Sequence, residues 1–180
     1  FTIQKYYRVN GGSVQLEGVK SDIVIPNRYS YIDFGEKEYE NPLEWDKITP
    51  ADYTEWSSNF DYSTAIEKSK LRIESNEYLK LIDDNAKWIK SVRDNEEFSL
   101  NYFNYAKKIK EDELTLKSFD KLKEFQTDLE FKSLPYEVVL FKKDSTLELK
   151  RNRWHKNLAK DIYVDEALNV LNDLKISYNN

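Results

Sequence analysis

The sequence predicts an α+β fold: an N-terminal β-hairpin followed by a mostly helical remainder. Three patterns predict it. Residues 1–9 alternate with period two, Phe1, Ile3, Tyr7 and Val9 on one face and Thr2, Gln4 and Arg8 on the other, blurred at Lys5 and Tyr6. Asn10, Gly11, Gly12 and Ser13 then interrupt the run with residues that tolerate positive φ. Further along, apolar residues recur at helical spacing over long stretches free of Gly and Pro.

Taken in order, Val14–Leu16 and Ile23–Ile25 bring the hairpin back, with Gly18 where a bulge or close backbone approach would sit, and Pro26 closes it. Two strands alone are marginal in water, so the pattern predicts further strands lying upstream of Phe1. Residues 27–60 are irregular, with Tyr29, Tyr31, Phe34, Tyr39, Trp45, Tyr53, Trp56 and Phe60 scattered among acids, Pro42 and Pro50. A loop this long and aromatic is expected to drape over a neighbouring surface.

The clearest helix runs from about Thr64 to Arg93. Thr64 and Glu67 have the spacing of a capping box, and Tyr78, Ile82, Ala86 and Ile89 form a stripe widened by Leu81, Trp88 and Val92. Phe98–Phe103 reads as a short strand or extended entry to a charged helix, about Asn104 to Leu129, with Ile109, Leu116, Phe119, Leu122 and Phe125 inward. Pro135 breaks the chain, and Tyr136–Phe141 reads as either a strand or a helix start, with its β-branched pair favouring strand. Two more helices are predicted, about Asp144 to Ala159 and Val164 to Ile176. Asp165 and Glu166 would sit at the positive end of the second. The domains predicted are residues 1–26, the final strands of an upstream sheet; 27–60, a connecting segment; and 61–180, a helical domain.

The 180 residues are 39% hydrophobic and 34% charged, poor in aliphatics but carrying 13 Tyr, 9 Phe and 4 Trp. Aromatics bury large areas, so a thin core on elongated helices is within reach. Without cysteine there are no disulfides or thiolate metal sites. No apolar run reaches the roughly 18–20 residues needed to cross a bilayer. A net charge of −5 gives no global attraction to nucleic acid or anionic lipid.

Candidate chemistry is sparse. His155 has no second His or Cys beside it, and Asp83 and Asp84, adjacent on a helix, point about 100° apart, so no metal site is predicted. Ser13 follows two glycines, but hairpin geometry explains them better than a nucleophile elbow, which needs a following helix. No phosphate-binding glycine loop is present, and no cofactor is predicted. The strongest local charge is Lys142–Lys160, seven basic residues against Asp144 and Glu148, about +5. With Trp154 interleaved it could be an RNA-binding face. The acidic whole favours instead a basic helix docked on an acidic partner surface, so no nucleic-acid partner is predicted.

Several segments carry a resemblance. Thr2–Gln15, Gly18–Pro26, Gly35–Lys37 and Asn41–Ile48 resemble, densely, the C-terminal part of the tail-specific (C-terminal-processing) serine proteases. Ser99–Tyr102 and Tyr163–Ala167 echo it more weakly. The signature positions are Gly11, Gly12, Ser13, Gln15, Gly18, Val19, Asp22, Ile23, Trp45 and Asp46, all read as structural. Ser21 stands where the family usually has proline, which should loosen that bend slightly. The resemblance implies a periplasmic endopeptidase with a Ser–Lys pair and a PDZ domain, whose catalytic motifs lie upstream of Thr2. No catalytic residue is therefore carried over to this chain. The implied partners are the parent's protease and PDZ domains and, as a candidate, an adaptor protein. Self-association through the hairpin edge is also expected. The alternatives are a stand-alone interaction module and, behind it, a nucleic-acid-binding domain using Lys142–Lys160.

Overall fold

The computed structural model describes residues 3–56 and 60–179, the last four of them (176–179) by backbone alone. Among the described residues six α-helices follow in chain order: α1 Tyr62–Ser75, α2 Glu77–Arg93, α3 Tyr102–Ser118, α4 Pro135–Phe141, α5 Ser145–Leu158 and α6 Ile162–Asn179. Short 3-10 segments occupy Gly35–Glu38 and Phe119–Glu124.

The described residues contain no strand, so the α+β prediction and its β-hairpin are wrong. Of the expected ladder there remain two isolated bridges, Tyr7 to Ser13 and Gly12 to Lys47. The physical reason lies just after Gln15. Leu16 takes φ 59° and Gly18 φ 63°, while Gly18 N–H donates to Val14 C=O at 2.9 Å. That turn swings the chain away before a return strand can form, and Ile3, placed on the apolar face of the hairpin, stands 83% exposed. Phe1 and Thr2, the start of the expected strand, lie outside the described residues.

Helix starts follow capping chemistry. Asp61, rather than Thr64, opens α1, accepting Thr64 N–H at 3.0 Å. These hydrogen bonds from Thr64 and Ser63 hold the Asp61 carboxyl down to about 2. The single helix expected over 64–93 is two. Asn76 bonds its own side chain to Tyr78 N–H (2.9 Å) and Leu79 N–H (3.1 Å), restarting the helix. Asn101, Asp144 and Asp161 open α3, α5 and α6 in the same way. The strand expected at Tyr136–Phe141 is α4. Pro135 presets the first helical φ, and Glu137 accepts Leu134 N–H at 3.1 Å. The helix expected over 104–129 ends at Ser118, and the 3-10 segment carries Phe119 against Trp88, with Phe125 beyond it against Tyr78.

α1 packs on α6 and α2, while the 119–124 segment bridges α2 and α3 and α4 packs on α5. Ala65, Leu79, Ala86 and Ile162 are the buried apolar residues among those described, so the core sits where α1, α2 and α6 meet. Tyr163 ties α6 to the N-terminal segment, its hydroxyl donating to Pro26 C=O at 3.0 Å.

Candidate functional site

Five signature positions from two distant segments converge. The turn at residues 6–14 closes on itself through Arg8 N–H to Gly12 C=O and Val14 N–H to Tyr6 C=O. Residues 44–51 then run alongside: Ser13 N–H donates to Asp46 C=O at 3.0 Å, Ile48 N–H to Gly11 C=O at 2.9 Å and Ala51 N–H to Val9 C=O at 2.9 Å. Trp45 Nε1–H donates to Ser13 C=O at 2.9 Å, and Ser13 Oγ accepts Asp46 N–H at 3.3 Å. Gly11 has φ +82°, and a Cβ there would stand 2.1 Å from the Ile48 carbonyl oxygen. Glycine is required because the two backbones touch.

The Asp46 carboxylate gathers the side chains of this knot. Lys5 pairs with it at 3.1 Å and the Tyr7 hydroxyl donates to it at 2.9 Å. The Lys5 hydrogen bond, with Tyr7 adding to it, holds Asp46 below the usual carboxylate range, while the bond to Asp46 raises the Tyr7 hydroxyl. Gln15 is buried beside Ser13 in sequence, and its Nε2 finds no acceptor among the described residues. The other signature positions do not join: Gly18, Val19 and Asp22 are exposed and Ile23 is half-buried. Lys5 and Tyr7 were missed, because a period-two pattern carries no signal of a partner about 40 residues away.

A second cluster clasps α1 to α6. Arg72 donates to Glu166 from Nη2 at 2.8 Å and from Nε at 3.0 Å, and to Asp173 from Nη1 at 2.7 Å. Ser69 Oγ, fully buried, donates to Glu166 at 2.6 Å, and Lys68 reaches Asp173 at 3.3 Å. The bond to Glu166 raises the Arg72 guanidinium. Burial pushes Asp173 up, but hydrogen bonds from Arg72 and Lys68 outweigh it and leave that carboxyl low. Burial and the Glu166 charge raise Asp165. Sequence reasoning placed Glu166 as a helix-dipole residue. Its spacing of seven from Asp173, two turns along one face, was the available signal.

Neither cluster is arranged for bond-breaking chemistry. Ser13 and Ser69, the buried serines among the described residues, bond to a backbone amide and to a carboxylate. His155 lies against the Trp154 ring. Among the described residues no group of three His, Asp or Glu is placed to hold a metal, and no helix is long and apolar enough to cross a membrane. A shallow cavity of about 480 Å³ opens between residues 24–31 and the α1–α2 elbow, with Pro26, Tyr31, Ile73 and Leu79 in its wall.

The segment that locks the turn, residues 44–51, falls within a match over residues 29–175 to the family described as the C-terminal domain of tail-specific protease. The chain belongs to this family. It is also 38% identical over 126 residues to the tail-specific protease of Haemophilus influenzae. That alignment covers 67% of this chain and 18% of the relative, so the chain spans less than a fifth of the protein it matches. The match takes in the aromatic 29–60 stretch together with the helices and begins three residues past Pro26.

Proposed function

We propose that this chain is the non-catalytic C-terminal part of a periplasmic tail-specific serine endopeptidase, and that it serves as a packing and docking domain for the rest of that enzyme. The observation that carries this reading is the family match over residues 29–175, set beside a relative of which the chain corresponds to 18%. In such an enzyme the remaining chain has ample length for the catalytic and PDZ parts. Residues 1–26 would belong with the protease part, 27–60 would connect, and 61–180 would form the helical domain. The 6–14 turn locked to 44–51 would then fasten one to the other. The periplasmic placement rests on the family resemblance.

Surface chemistry supports the packing role. Phe98, Leu100, Tyr102 and Phe103 are largely or fully exposed around the start of α3, and Trp56 is exposed in the connecting segment. Clustered apolar residues of this size in water favour a covering partner, and aromatic side chains are the usual anchors of interfaces. The parent's protease and PDZ domains are the proposed cover, with an adaptor protein as a further candidate.

The purified chain, incubated with an unfolded protein bearing an apolar C-terminus, should cleave nothing. A nucleophile, its base and an oxyanion hole must converge for that reaction. Cleavage that disappears when a serine of this chain is substituted would overturn the non-catalytic reading.

A further inference from the structure

Asn85 is a polar residue in the middle of an apolar helix face. On α2, Tyr78 and Ile82 precede it by seven and three residues, and Trp88 and Ile89 follow by three and four, so all four share its face. It is half-buried, and its amide has no hydrogen-bond partner among the described residues. An amide left open amid apolar side chains costs stability unless water or a ligand bonds to it.

That face looks onto a cavity of about 440 Å³, between α2, the 119–124 segment and the start of α6. Ile82, Trp88, Ile89, Phe119 and Leu122 make its apolar wall. The 3-10 turn sets Phe119 and Leu122, three residues apart, on one side. The Phe119 ring meets Trp88 at 6.0 Å, and the space beside them stays open.

One charge in this wall is unopposed. Asp120 and Lys123 pair with each other. Arg28 comes to the wall from the segment before α1. Two hydroxyls hold that segment down on either side of it: Tyr163 donates to Pro26 C=O at 3.0 Å, and Tyr31 to Asp83 of α2 at 2.7 Å. Arg28 is exposed and has no carboxylate partner among the described residues. Its guanidinium lies 5.9 Å from the Tyr29 ring centroid, at the outer limit of a cation–π contact, which leaves it free to turn to a ligand.

We infer that this cavity binds a small apolar carboxylate, its aromatic or branched group against Trp88 and Phe119 and its carboxylate on Arg28. An apolar cavity of this size with a few open polar groups in its wall has the make-up of a small-molecule site. The arginine fork matches a carboxylate with two parallel hydrogen bonds, and the unopposed charge favours an anion over a cation. The carboxylate can belong to a peptide C-terminus or to a free organic acid. Asn85 separates the two sources, because only the peptide end carries an amide beside its carboxylate for Asn85 to bond. The site is independent of the packing role, and its failure leaves that role untouched.

NMR titration of the whole 180-residue chain tests this, read at the Trp88 indole N–H, which Trp88→Phe assigns. N-acetylphenylalanine should shift that signal saturably, with a dissociation constant of about 1 mM, as a ligand of this size allows. N-acetylphenylalaninamide, which keeps the ring and loses the carboxylate, should bind about tenfold more weakly. Arg28→Gln should cause the same loss for the acid and none for the amide, and should keep the parent's helical signal because Arg28 is exposed. Octanoate distinguishes the sources. Binding weaker than that of N-acetylphenylalanine, by a margin that Asn85→Leu removes, assigns the site to peptide C-termini; binding at least as tight assigns it to free organic acids. The amide binding as tightly as the acid, or Arg28→Gln binding the acid like the parent, overturns the proposal. So does the absence of a saturable shift, or a shift of the Trp154 indole that tracks that of Trp88.

Discussion

The body built from α1, α2 and α6 and the outer helices α3, α4 and α5 are made of similar material and end up differently. Both groups have capped starts and apolar residues at helical spacing. In the body, Leu79 and Ala86 are buried and Arg72 closes two carboxylates of α6 onto α1. In α3 and α5 no described residue is buried, and in α4 only Glu137 is. Periodicity makes a helix face, but only a second surface makes a core. The outer helices stay more open because their packing partners here are short, the 119–124 segment for α3 and α4 for α5.

That contrast can be broken most sharply in the core. Leu79→Ala should cost about 3 kcal/mol, a transfer loss plus a cavity, whereas Leu114→Ala on exposed α3 should stay within about 0.5 kcal/mol. Urea midpoints of the two variants check it, and equal losses would erase the distinction between body and outer helices.

Next in size is the clasp. Arg72→Met leaves Glu166 without its cation and Asp173 with Lys68 alone, and should cost about 2–3 kcal/mol, at or just below the bottom of the range for an opened buried pair because Arg72 is a third exposed. Adding Glu166→Leu should return only part of that loss, since it removes one unpaired carboxylate but leaves the buried Ser69 hydroxyl without its partner and Asp173 without Arg72. Acid should probe the same site. The folded-state Asp173 carboxyl is lower than its unfolded value, so its contribution is complete above about pH 4 and is lost as pH falls through the lower folded value. Asp165, raised by burial, acts oppositely and should soften the acid loss. Thermal unfolding between neutral and acid pH should show Arg72→Met less acid-sensitive than the parent.

Smaller effects separate local devices from the body. Asn76→Ala removes the cap that restarts α2 and should cost about 1 kcal/mol. Gly11→Ala puts a Cβ into the Ile48 carbonyl. It should expose the amides of Ser13 and Ile48 to hydrogen exchange and leave α1, α2 and α6 as protected as before.

Much of the helical architecture was legible, because caps and stripes are local signals. The α5 boundaries fall within a residue of those predicted, while α6 starts two residues earlier, at the cap Asp161 provides, and ends three residues later. What failed depended on competition between local and distant partners. Asn76 looked like one polar residue in a long helix, yet its side chain outbids the continuing backbone bonds. Val138 and Val139 argued for a strand, yet Pro135 and Glu137 had already set a helical first turn. The hairpin alternation was real, but the Val14–Gly18 turn redirected the chain and residues 44–51 took the pairing groups. Half the signature set, Gly11, Gly12, Ser13, Trp45 and Asp46, came together, although nothing in the spacing showed that Trp45 would reach Ser13.

The central claim is that this chain is a packing domain whose open helix faces are covered by the rest of a tail-specific protease. Hydroxyl-radical footprinting of Leu100, Tyr102 and Phe103, compared between this chain alone and the full-length enzyme, tests it most directly. Strong protection of these three side chains in the full-length enzyme, with Leu79 equally protected in both, is the predicted result. Equal reactivity of all three in the two proteins would contradict it.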